Sequence, residues 1–263
     1  MTSTAQRAAP AHVGEHLREW RQRRRLSQLE FAGEADISTR HLSFIETGRA
    51  RPSREMLLHL AERLEIPLRE RNTVLVAAGF APVFSEKSLD DPALSAARAA
   101  IDLVLKGHEP FPALAVDRHW NIVSMNSAVA IFMEGVDADL LETPPNAVRL
   151  GMHPSGMARH IVNGAEWRAH ILSRLRRQVE MSADTVLAAL YAEVSAYPAP
   201  IGARPAQPDH GVFIPLKLKT SKGVLSFLST MTMFGTPMDV TLSELALEAF
   251  YPADEETARA LRG

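Results

Sequence analysis

Thr39, Arg40, His41 and Ser43 fall within five residues, and each carries a group that can meet a base edge or a phosphate oxygen. Arginines crowd the sequence on both sides: Arg18, Arg21, Arg23, Arg24 and Arg25 before them, Arg49, Arg51 and Arg54 after. A guanidinium forks onto phosphate or onto a guanine edge better than an ammonium does. The chemistry implied is recognition of a polyanion. It requires a rigid element that turns these side chains to one side.

The stretch SQLEFAGEADISTRHLSFIETGR, residues 27–49, supplies that element. Ser27 and Glu30 form a capping box, which starts a helix at Gln28. Phe31, Ala32 and Ala35 give the helix an inner face. Glu34–Asp36 makes a corner that Ile37 plugs. Ser38 is a good N-cap for a second helix. Leu42 and Ile45 bury that helix, and Gly48 ends it. Ala32 has the small side chain that two crossing helices need. The pattern is a helix-turn-helix, with the residues after Ser38 facing outward.

Composition bounds the rest. The chain has 263 residues, is 46% apolar and contains no Cys. Its size allows two domains, and the lack of Cys excludes disulfides, thiolate metal sites and a Cys nucleophile. No apolar run is long enough to span a bilayer, and the N-terminus lacks the apolar core of a signal peptide, so a cytoplasmic protein without membrane contact is expected. Net charge is −2, but it is unevenly placed: residues 1–80 hold 13 Lys/Arg against 10 Asp/Glu, residues 81–263 hold 16 against 21. The basic excess coincides with the helix-turn-helix.

Residues 1–10 read as a mobile tail. Val13, Leu17 and Trp20 form one stripe of a first helix over 11–25. Pro52 and Ser53 open another at about 54–64, with Met56, Leu57, Leu60 and Leu64 inward, and a fifth covers 68–78 up to Gly79. An all-α domain over 11–80 follows. Residues 81–110 begin as linker and continue as a helix from Pro92, with Leu94, Ala97, Ile101, Val104 and Leu105 on one side. This helix either packs on its own domain or connects to a second chain.

From Pro112 the pattern alternates, which predicts strands at Ala113–Val116 and Ile122–Met125 around a turn, then a helix over Ser127–Phe132. A Pro-broken loop over 140–150 comes next. Trp167, Ile171, Leu175 and Val179 mark an amphipathic helix over 163–181, and a further helix covers about 184–196 with Val186, Leu187, Leu190 and Val194. Residues 198–211 read as a loop. A hairpin turns on Ser221–Gly223, Thr241 with Glu244 predicts a helix over LSELALEAF, and Asp254 caps a last helix. The fold class is α+β: the five-helix domain, then an antiparallel sheet with helices over 111–263.

Enzyme chemistry finds no footing. His153, His160 and His170 do not fall on adjacent turns of one helix. No Gly-rich phosphate loop, GxSxG elbow or convergent carboxylate pair occurs. A non-enzyme without cofactor or metal is expected. Met125, Met133, Met152, Met157, Met231 and Met233 either adapt to an irregular apolar ligand or simply fill a core. Polar anchors for such a ligand could come from Asn126, His153, Arg159, Asn163, His170 and Arg174.

The run LSQLEFA…DISTRHLSFIETGRARPSREMLLHLAERLEIP resembles the XRE-family (phage-repressor-like) DNA-binding domains over 11–80. Asp36 stands at the corner, where that family often has Gly. The resemblance implies that Gln28 contacts phosphate or a base edge, that Thr39, Arg40 and Ser43 or Phe44 read the major groove, and that Arg49 holds phosphate. With Ser38, His41 and Arg51, these form the expected DNA-contacting set. It also implies an internal ion pair of Arg21 with Glu46.

Blocks over 108–260, among them PFPALAVDRHWNIVSMNSA and VLSFLSTMTMFGTPMDVTLSELALEAFYPAD, resemble the ligand-binding domain of MmyB-like transcription regulators, a PAS-like sheet with helices. What that implies is a cytoplasmic regulator with a small-molecule sensor; because a single recognition helix reads about half a site, a homodimer on double-stranded DNA with an inverted-repeat operator is expected. Its small-molecule effector would be apolar, a fatty acid or acyl-type ligand held near Met125, Asn126, His153, Arg159, Asn163, Trp167, His170 and Arg174. The alternative is a C-terminal domain that only oligomerises or docks a protein partner.

Overall fold

The computed structural model describes residues 12–142, 144–199, 214–233 and 239–263. The expected tail over 1–10 and most of the expected loop over 198–211 lie outside these residues. The chain divides into two compact units, Met1–Glu86 with Met238–Val240, and Lys87–Pro237 with Thr241–Gly263.

The first unit contains five helices, α1 Val13–Arg23, α2 Gln28–Glu34, α3 Thr39–Glu46, α4 Arg54–Arg63 and α5 Leu68–Ala77. Local chemistry sets their starts. Ser27 Oγ accepts from Glu30 N and Glu30 returns to Ser27 N, Ser38 Oγ accepts from His41 N, and Ser53 Oγ accepts from Met56 N. His12 and Glu15 form a further capping box at α1. Asp36 takes φ 51° at the corner, a region Asp tolerates. Leu17, Phe31, Leu42, Ile45, Leu57, Leu60 and Leu75 are buried in one core, with Ala32 at the α2–α3 contact. Gly14 sets how closely α1 approaches α3: a Cβ there would lie 2.3 Å from Ile45 O, a distance no side chain can occupy.

The second unit is built on a five-stranded antiparallel sheet of order β2-β1-β5-β4-β3. The strands are β1 Ala113–Val116, β2 Ile122–Met125, β3 Leu216–Thr220, β4 Gly223–Met233 and β5 Ala246–Pro252. The predicted β1, β2 and the hairpin at 221–223 are present. The expected helix over LSELALEAF is not. Only one helical turn, α10 Val240–Ser243, forms there, and β5 follows as the central strand, between β1 and β4. Both of its faces are covered, so it lacks the inside–outside alternation that marks a half-exposed strand.

Each face of the sheet has its own layer. Ala113 and Ala115 of β1 and Leu247 of β5 pack on α6 Ser95–Gly107, through Ile101 and Leu105. Val104, expected inward, is 54% exposed, and Leu103 is exposed beside it. The other face presents Leu114, Val116, Ala246, Phe250, Leu218 and Phe227 to α7 Ala147–Met152, α8 Gly164–Ser182 and α9 Thr185–Ala196. Residues 127–132, predicted helical, form a 3-10 helix, and α7 occupies the end of the expected loop over 140–150. Val186, expected inward on α9, is exposed, while Leu187, Leu190 and Val194 are buried. Asp254 caps α11 Glu255–Arg262, as predicted.

Candidate functional site

The first candidate site is the outer face of α3. Its backbone start is fixed by the Ser38 cap, so Ser38 spends its hydroxyl on the helix. Arg40 and Arg49 are exposed, and their guanidinium carbons lie 5.3 and 5.9 Å from the Phe44 ring centroid. Phe44 is thus a platform that spreads two cations along one surface. Thr39, His41 and Ser43 are partly exposed beside them, and Arg51 is exposed in the following loop.

Behind this face a buried ion pair fixes α1 against α3. Arg21 Nε and Nη2 bond the two oxygens of Glu46 at 2.6 and 2.9 Å, and Arg21 Nη1 donates to Leu26 O at 2.7 Å. Gln28 Nε2 donates to Glu46 Oε2 at 2.8 Å. Gln28 therefore begins α2 with one donor already engaged inside the unit. Arg24, part of the basic cluster, is also structural: it donates to Leu64 O and Glu65 O at the end of α4. This satisfies carbonyls that a helix terminus leaves unpaired.

The second candidate site is a cavity on the inner face of the sheet, with about 660 Å³ of unfilled space including its mouth. Leu114, Ile122 and Phe250 come from strands, Phe132 from the 3-10 helix, and Met152, Trp167 and Ile171 from α7 and α8. Trp120 enters from the β1–β2 turn, where its backbone takes φ 69°. Its indole N–H donates to Gln178 Oε1 at 2.9 Å, which leaves the ring as wall. Such a lining suits a small apolar ligand.

Among the described residues, the only charged one in the wall is Glu248 of β5, which is 6% exposed. Arg174 Nη1 donates to its Oε1 at 3.1 Å, and the Arg174 guanidinium lies 4.4 Å from the Trp120 ring centroid. One turn earlier on α8, His170 packs on Trp167 with ring centroids 5.7 Å apart. Burial, and then the charges of Arg174 and Arg177, hold its imidazole below the ordinary histidine value.

Of the residues expected to hold a ligand, Trp167 lines the cavity, while His170 and Arg174 stand behind the wall, His170 against Trp167 and Arg174 against Trp120 and Glu248. The others stand away from the wall, each for a visible reason. Asn126 is consumed as a bracket: it accepts from Ala113 N and donates to Leu105 O and Phe111 O. Asn163 similarly ties β3, donating to Pro215 O and accepting from Lys217 N. His153 accepts from Ser155 N and packs edge-on against Tyr197. Arg159 is exposed and bonds Asp137. Met125 is exposed at the edge strand, and Met231 and Met233 are exposed on β4, whereas Met133, Met152 and Met157 line the cavity. Trp120, Phe132, Phe250 and Glu248 went unmarked in the sequence. Glu248 was hidden by the helical reading of its strand, and Trp120 carries no periodic signal because it sits in a turn.

Among the described residues, no cluster of three or more His, Cys, Asp or Glu could hold a metal ion, and no helix is long and apolar enough to cross a membrane. Comparison with protein families gives two matches: a helix-turn-helix family over residues 17–71, and the MmyB-like transcription regulator ligand binding domain over residues 97–263. No curated protein matches the chain.

Proposed function

The chain belongs to the MmyB-like transcription regulators and is a DNA-binding regulator with a ligand-binding domain; we propose that it acts as a cytoplasmic homodimer on an inverted-repeat operator and that its C-terminal cavity takes a small apolar effector of fatty-acid or acyl type. The observation that carries the effector reading is the cavity itself, apolar on every side but one. A module that only docks a partner has no need of an apolar pocket walled by strands and helices together. Both matched families are regulator domains, which supports a binding role over a catalytic one.

Dimerisation follows from the readout. A single helix the length of α3 covers about half a typical operator, so useful affinity calls for a two-fold partner. In this reading Thr39, Arg40 and Ser43 contact base edges, while Arg49 and Arg51 hold phosphate. Ligand occupancy shifts operator affinity only as far as the effector binds one arrangement of the dimer better than another.

Two measurements on the full chain test the proposal. Extraction of the purified protein and mass spectrometry should recover an acyl-type molecule, and sedimentation should give a dimer that binds a symmetric site. A monomer at the operator contradicts the dimer, and a protein that neither carries nor binds any apolar molecule contradicts the effector.

A further inference from the structure

The chain passes between the two units more than once. Asp239 and Val240 lie in the connection between β4 and β5, yet they belong to the first unit, so the chain crosses at 86–87 and again at 240–241. On the side of the first unit, the segment that leaves α5 is gripped along its length. Asn72 Oδ1 accepts from Val83 N and Phe84 N, and Asn72 Nδ2 donates to Phe84 O at 2.8 Å. Arg71 lies over the Phe84 ring, and Arg69 pairs with Glu86. Ser85 forms a parallel bridge with Asp239, and the buried Val240 donates its N–H to Ser85 O at 2.7 Å.

The second unit grips the residues that follow. Thr241 Oγ1 donates to Lys87 O at 2.6 Å. Glu244 pairs with Arg118 at 3.5 Å, and Arg118 stands equally far from Asp184, the cap of α9. Arg118 sits in the β1–β2 turn, two residues before Trp120 of the cavity wall. Each of these bonds lies within one unit, and only the chain itself crosses.

We propose that residues 239–245 couple the DNA-binding unit to the turn that walls the cavity, so that a change at either end is felt at the other. The regulatory use of this coupling rests on the cavity being the effector site. A single flexible linker carries no such signal, because its free residues absorb a displacement. Here one helical turn, α10, separates the grip on Ser85 from the grip on Arg118, and coupling travels through contiguous bonded elements of this kind. Coupling is also reciprocal. If the cavity end can alter the connection, DNA held by the first unit must alter it too.

Hydrogen exchange of the full chain, with and without an operator duplex selected from random sequences, tests this. Exchange over 83–87 and over 239–245 should both change by at least about fivefold when the duplex binds. Val240→Pro removes the N–H that reaches Ser85, at a first helical position that suits Pro. Thr241→Val removes the hydroxyl that reaches Lys87 and keeps the shape. In each variant the change over 239–245 should fall below about twofold, with operator affinity held within about twofold; a variant that fails to fold leaves the other to decide. Exchange over 239–245 that ignores the duplex in the unsubstituted protein overturns the coupling, as does a change of full size in the folded variants. The duplex is the only ligand added, so a cavity that takes no apolar molecule strikes the effector reading and leaves this result in place.

Discussion

Among the described residues, each unit holds one Arg–Glu pair largely out of solvent, and the two are finished to different degrees. Arg21 and Glu46 close with two bonds, and Leu26 O and Gln28 complete the set at the side of the helical core. Arg174 and Glu248 close with one bond, at the edge of a cavity. A saturated pair has nothing left to offer a ligand, and its role is to hold α1 and α3 in register. A half-used pair keeps groups unpaired, and in this one Arg174 Nη2 is buried without a partner. Similar residue types thus form a saturated pair in one unit and an unsaturated one at a cavity wall in the other, and the count of remaining partners tells them apart.

That contrast breaks first at Arg21. Arg21→Ala leaves Glu46 buried without its partner and should destabilise the first unit by about 3–5 kcal/mol in denaturant unfolding, with DNA binding lost in parallel. Arg174→Met should cost the second unit less, about 1–3 kcal/mol, because Glu248 already reaches open volume through Oε2. Equal losses in the two variants would erase the distinction. At the surface, Arg40→Ala should cost about 1–3 kcal/mol and relax preference at one base position, whereas Arg49→Ala should weaken all sequences alike and lower the salt slope by about one. Identical behaviour in a salt titration across operator variants would remove the division into reader and anchor. The smallest effect concerns His170. Its folded-state value is depressed, so the unfolded chain takes up the proton more readily and the stabilising contribution is present above the ordinary value of 6.5. It is lost as pH falls below that, and melting of the second unit should drop on acidification less in His170→Asn than in the unsubstituted protein.

How much of this was readable beforehand depends on how local each feature is. The caps at Ser27, Ser38 and Ser53, the corner at Asp36 and the outward face of α3 are all set within a few residues, and the sequence predicts them in place. Strands β1 and β2 were also legible, because the polar turn at 117–121 separates two short apolar runs. Strand β5 was not. Thr241 and Glu244 imitate a capping box, and a central strand covered on both faces has no polar side to betray it. With β5 read as helix, Glu248 could not be seen as a wall residue, although its partner Arg174, 74 positions away, was already a candidate anchor. Asn126 and Asn163 misled in the opposite sense. Their side chains look available in the sequence, yet backbone groups distant in sequence use both ends of each.

On the proposed function, filling the C-terminal cavity changes how the helix-turn-helix meets DNA. The direct test is fluorescence-anisotropy titration of the full chain against an operator selected from random duplexes, with and without saturating apolar ligand at fixed salt. A change in operator affinity of about fivefold or more, in either direction, is the predicted result. Identical affinity curves with the cavity demonstrably occupied would contradict the account.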